Sequence, residues 1–138
     1  MKRPLFAICI LGFAAVVMAQ AKPFAAWALR PKQAAGYSVE VWRNANDRQR
    51  FAWRLVAPDG NVVAAMPQPV VPPGYVVNHG ECRVAGVLRH DVLALVKHRS
   101  KVEWSGDIRA VWIASPEAKA FSPRSPAGVV CRNEGYGV

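Results

Sequence analysis

From Tyr37 to Met66 the side chains alternate with a period of two, and this pattern limits the available folds more than any other feature of the chain. In YSVEVWR, Tyr37, Val39 and Val41 fall on one face, while Ser38, Glu40 and Trp42 fall on the other. RFAWRLVA repeats the pattern, with Phe51, Trp53 and Leu55 inward and Arg54 outward. A strand sends successive side chains to opposite faces, so both segments are expected to be strands that bury one face. The polar stretch NANDRQ joins them as a loop. Pro58-Asp59-Gly60 then reverses the chain into NVVAAM, because glycine readily takes the positive φ that a tight hairpin demands. A three-stranded antiparallel meander over residues 37–66 follows.

The sequence V-E-V-W-R followed by F-A-W-R-L-V-A-P-D-G-N-V-V-A resembles the repeat unit of the YegP-like family, small bacterial domains built on an aromatic-x-aromatic-Arg-Leu core and an Asn/Asp-Gly turn. The resemblance implies paired strands and no catalytic residues. Beyond it the chain departs from the family's serine and alanine-rich helix: PQPVVPP, residues 67–73, places four prolines in seven positions and reads as an extended connector.

The N-terminus has the layout of a secretory signal: Lys2 and Arg3, an apolar stretch from Leu5 to Met18, then Ala19-Gln20-Ala21. That apolar stretch is short of the roughly 18 residues a spanning helix needs. Residues 1–21 are therefore expected to be a signal peptide, the mature chain to start at Lys22, and the protein to be periplasmic or secreted, with no transmembrane segment after cleavage. Cys9 leaves with the signal. Cys82 and Cys131 are then the two thiols of an exported chain, and one intramolecular disulfide is expected between them.

Residues 22–36 read as an N-terminal arm. Phe24, Trp27 and Ala28 have one-turn spacing before Pro31, which suits a short helical turn or an arm laid on the surface. Residues 37–138 form the single globular domain, whose second half, 74–138, begins with ECRVAGVLR, a strand in which Gly86 marks a bulge. HDVLALVKHRSK admits two readings. Val92 to Val96 suit a strand buried on both faces; for a helix over 91–101, Asp91 caps the first turn, and Lys97, His98, Arg99 and Lys101 meet the carbonyls of the last. The end chemistry favours the helix. DIRAVWIAS and AGVVCR read as paired strands joined through PEAKAFSPRSP, whose prolines confine regular pairing to an edge. The expected fold class is α+β: a small, mostly antiparallel sheet with one or two short helices and one disulfide.

No G-x-S-x-G, H-E-x-x-H, P-loop or G-x-G-x-x-G occurs, so the sequence names no catalytic residue and no cofactor. His90 and His98 are too far apart on either a helix or a strand to share a metal. His79 and Glu81, about 6.6 Å apart on one strand face, would need a ligand from elsewhere, so no metal site is assigned.

Charge is the remaining signal. The chain carries 18 basic and 9 acidic residues, and cleavage after Ala21 removes two basic residues and no acid, lowering the net charge from +9 to +7. Arg43, Arg48 and Arg50 cluster around the first loop, and Lys97, Arg99 and Lys101 form a second group. Both point to an anionic envelope component or an acidic protein as partner. Nucleic acid is disfavoured, because an exported protein meets little of it. The expected function is a small, cationic, non-catalytic binding module of the cell envelope. The alternatives are a small secreted enzyme using His79, His90 or Asp91, and a domain of structural use only.

Overall fold

The computed structural model describes residues 22–30 and 35–133, so the expected signal segment lies outside the described residues. These residues hold twelve strands in three four-stranded antiparallel sheets, and no helix. The α+β expectation is thereby corrected to all-β.

The first sheet runs in the order β1 (Ala25–Ala28), β2 (Ser38–Arg43), β3 (Phe51–Val56), β4 (Val62–Pro67). The last three strands are the expected meander, and Gly60, at φ +87°, makes the turn from β3 to β4. The expected inward face is also found: Val39, Val41, Trp53 and Leu55 are buried, with Tyr37 and Phe51 packed against them. The segment around Trp27 is not a helical turn. Ala25–Ala28 pair with Val41–Ser38, because an alternating A-A-W-A can add to the free edge of β2 and lay Trp27 on the core.

The second sheet has the order β11 (Ala120–Arg124), β10 (Ile108–Ser115), β8 (Val92–Lys97), β5 (Tyr75–His79). The third has the order β7 (Val87–Arg89), β6 (Cys82–Val84), β12 (Val129–Arg132), β9 (Trp104–Ser105). The second sheet is the middle layer. One of its faces contributes Leu93, Ala114 and Phe121 to a core shared with the first sheet; the other gives Val92, Ala94, Val96 and Val111 to a core shared with the third. This arrangement explains why the helix expected over 91–101 is absent. Five consecutive apolar residues suit a strand whose two faces are both buried, whereas a helix would have needed a polar face.

Trp53 anchors the first core, fully buried, with Trp112 at 5.3 Å edge-on and Phe121 at 5.8 Å between ring centroids. Its indole N–H donates to Gln68 Oε1 at 3.0 Å, so the group that burial would otherwise orphan is satisfied by the residue after β4. The second core holds the disulfide. Cys82 and Cys131 stand directly opposite on β6 and β12, both fully buried, and are bonded to each other as expected. Closing the 49 positions between them stabilises by roughly 4 kcal/mol by the chain-entropy argument, an upper figure. Asn78 ties the middle sheet to the third: its Nδ2 donates to the Arg132 carbonyl at 2.8 Å and its Oδ1 accepts from Glu81 N at 3.0 Å.

Two other readings change. DIRAVWIAS and AGVVCR do not pair; β10 lies in the middle sheet and β12 in the third, because β10 pairs instead with β11, formed within the supposed connector. Pro123 sits on β11, an edge strand, where a missing N–H costs no ladder bond. ECRVAGVLR is not one bulged strand but the hairpin β6–β7, with Val84 opposite Val87 and a turn of Ala85 and Gly86, both at positive φ (49° and 80°). A two-residue loop with both residues left-handed is a type I′ turn, which favours Asn-Gly. Ala85→Asn is therefore expected to raise stability by roughly 0.5–1 kcal/mol in denaturant unfolding, and Ala85→Val to lower it, since a β-branched residue resists positive φ.

Candidate functional site

Each basic group expected from the sequence gathers around a strand end. Arg43 ends β2, and its guanidinium lies over two rings, 5.2 Å from the centroid of Phe24 and 5.5 Å from that of Phe51. Arg48 and Arg50 follow in the β2–β3 loop, where Arg50 pairs with Asp47 at 3.3 Å in a solvent-exposed contact. Such exposed pairs are worth little, but this one offsets one of the group's three charges.

The second group is better organised. Lys97 ends β8 directly opposite Tyr75 on β5. The bulge in the β8–β10 pairing, between Ile108 and Ala110, frees Arg109 to lay its guanidinium 5.8 Å from the centre of the Tyr75 ring. Arg99 holds Asp107 Oδ2 at 2.7 Å, and this hydrogen bond, with the charges of Arg99 and Lys97, keeps the Asp107 carboxyl below its ordinary range. Lys97 and Arg99 thus share one carboxylate, Arg109 lies over the ring opposite Lys97, and exposed Lys101 follows in the loop after β8. That loop is pinned: Asn133 Nδ2 donates to the Arg99 carbonyl, and Asn133 N to the Glu103 carbonyl at 2.7 Å.

Sequence reasoning missed Arg109, because a bulge leaves no mark in the hydrophobic pattern. Arg54 over Trp42 (4.7 Å) and Arg83 over Trp104 (3.8 Å) were also missed. The outward parity of Trp42 and Arg54 was a usable signal for the first pair. Trp104 lies on a two-residue strand, too short to show any period. Among the described residues, Arg43, Arg54, Arg83 and Arg109 all stack on rings and none forms an ion pair with a carboxylate. A stacked guanidinium keeps its N–H edges outward, a fork shaped for carboxylate or phosphate.

The residues of the enzyme alternative are held in structural contacts. Asp91 is buried, and both its oxygens are held by Arg89, at 3.0 and 2.6 Å. His90 supplies its carbonyl to the Trp27 indole N–H at 2.8 Å. His79 packs its ring 5.6 Å from that of Trp27, and Nε2 is buried with no hydrogen-bond partner. No hydrogen bond joins these three side chains. Gly80, at φ +74°, passes under the same indole; a Cβ there would lie 2.7 Å from Trp27 Nε1. An open cleft of about 340 Å³ is lined by Arg89 and Asp91 together with Ser115, Pro116 and Glu117. Among the described residues, no three His, Cys, Asp or Glu side chains are grouped to hold a metal ion.

Burial lowers the pKa of His79 from its ordinary value near 6.5. The folded state therefore favours the neutral ring. Its contribution is full above about pH 6.5 and is lost as pH falls from there toward the lower folded value. The melting temperature is expected to drop below pH 6.5. His79→Phe, which keeps the ring stack and removes the orphaned nitrogen, should reduce that drop; an unchanged pH profile would assign it to other groups.

Comparison with protein-family models, curated proteins and solved structures finds no match for this chain.

Proposed function

We propose that the protein is an exported, non-catalytic module that binds an anionic component of the cell envelope, or an acidic protein, through the cations gathered where β8 ends. The observation that carries this reading is the charge imbalance there: Lys97 and Arg99 act on one carboxylate, Asp107, and Arg109 adds a third cation stacked on Tyr75, the residue opposite Lys97. Arginine presented on a ring loses less freedom on binding than a lysine in solvent, which favours carboxylate or phosphate ligands. Export is supported by the signal-like residues 1–21 and agrees with the disulfide. Among the described residues, no helix is long and apolar enough to cross a membrane. The engagement of Asp91 with Arg89, and the separate roles of His79 and His90, favour binding over the enzyme alternative.

Retention on immobilised heparin, a soluble-type polyanion, tests the reading. Salt should weaken retention steeply, because the Debye length falls from about 10 Å at 0.1 M to about 3 Å at 1 M. Lys97→Glu with Arg109→Glu should lower the eluting salt more than Arg48→Glu with Arg50→Glu, although both pairs change the net charge equally, because Asp47 already offsets Arg50. Asp107→Asn should raise it. Equal effects of the two pairs would contradict the site, and turnover of any substrate by the purified protein would contradict the non-catalytic reading.

A further inference from the structure

The outer face of the third sheet belongs to neither basic group. Cys82, Val84, Val129 and Cys131 turn into the core, so the alternation sends Arg83, Val130 and Arg132 outward. In the pairing, Arg83 stands between Leu88 on β7 and Val130 on β12, and Arg132 stands opposite Trp104 on β9. Arg83 covers the Trp104 ring. Arg132 lies 4.0 Å from Glu81 in a loose, exposed pair.

One end of this layer is apolar and raised. Beyond buried Val84, the β6–β7 hairpin presents Ala85-Gly86-Val87-Leu88 without a polar side chain, and Val87 and Leu88 are 63% and 44% exposed. Ala85 N donates to the Gly128 carbonyl, which sets the exposed, uncharged Ala127–Gly128 corner beside the tip. Isolated exposed aliphatics are ordinary on a protein surface. Here they flank a hairpin end, Val87 on the side of buried Val84 and Leu88 on the side of Arg83, with Arg132 and Trp104 further along the face that carries Leu88.

A groove would suit a peptide or a glycan chain, but a hairpin end projects. A projecting apolar tip backed by arginines and a tryptophan matches a plane whose inside is hydrocarbon, whose boundary suits indole, and whose surface is anionic. We propose that this hairpin end docks on an anionic lipid surface. Val87 and Leu88 enter the boundary between headgroups and acyl chains, and Arg83 and Arg132 meet the lipid phosphates. The proposal adds a surface distinct from the cations where β8 ends and commits its partner to lipid headgroups.

The test is co-sedimentation of the protein, in the form its producing cell retains, with vesicles of phosphatidylglycerol in phosphatidylcholine and with vesicles of phosphatidylcholine alone. Heparin retention is measured in parallel. The protein should sediment with the anionic vesicles and far less with the zwitterionic ones. The double variant Val87→Asp with Leu88→Asp should lower that binding at least tenfold, and Arg83→Glu about fivefold or more. Val87→Ser with Leu88→Ser, an uncharged pair, should also lower vesicle binding while leaving heparin retention unchanged. Undiminished sedimentation of these variants, or heparin retention without vesicle binding, would overturn the lipid proposal and leave anion binding standing. Loss of both activities in the unmodified protein would overturn both.

Discussion

The rest of the structure depends on β8 being buried on both faces. Val92, Ala94 and Val96 point into the core lined by the disulfide, while Leu93 packs from the opposite face into the core around Trp53. A strand so placed has no polar face to give to water, so it must lie between two layers, and the layers cannot separate without exposing one side of it. β10 repeats the arrangement beside it, with Val111 in one core and Ala114 in the other. The disulfide works at one remove. It closes the third sheet on itself through β6 and β12, and Asn78 then ties that sheet back to β5.

This placement also decides where the charges go. Because β8 runs through the middle layer and β9 belongs to the third, the segment between them must cross from one layer to the next, and it carries Lys101 out with Arg99 and Lys97 at its base. Asn133 holds the crossing against the end of β12. The tryptophans divide in the same way. Trp53 is core, Trp27 half-covers His79, and Trp42 and Trp104 lie on outer faces beneath arginines.

The meander and the disulfide were legible because each rests on a local rule. Alternation marks Val39, Val41, Trp53 and Leu55, Asp59-Gly60 marks the turn, and the two cysteines left once the expected signal segment is set aside allow one intramolecular pairing. The central strand was not legible for a physical reason. An apolar run has no period, and the residues that look like helix ends belong elsewhere: Asp91 to an ion pair with Arg89, Lys97 to the end of β8, and residues 98–101 to the loop after it. β6–β7 was misread because Gly86 follows an alanine at positive φ where the turn would favour asparagine. Of the candidate site, Lys97 and Arg99 were found as a charge run, whereas Arg109 and Tyr75 join them only through β10 and β5, which approach β8 from opposite sides.

Hydrogen exchange followed residue by residue tests the central role of β8 most directly. With β8 locked between two cores, the amides of Leu93, Ala94 and Leu95 should exchange only through global unfolding, at a free energy shared with the slowest amides of β3 and β10. Exchange of β8 through a smaller, separate opening, while β2 and β3 stay protected, would contradict the account. It would show that the meander stands alone and that the middle layer does not hold the three sheets together.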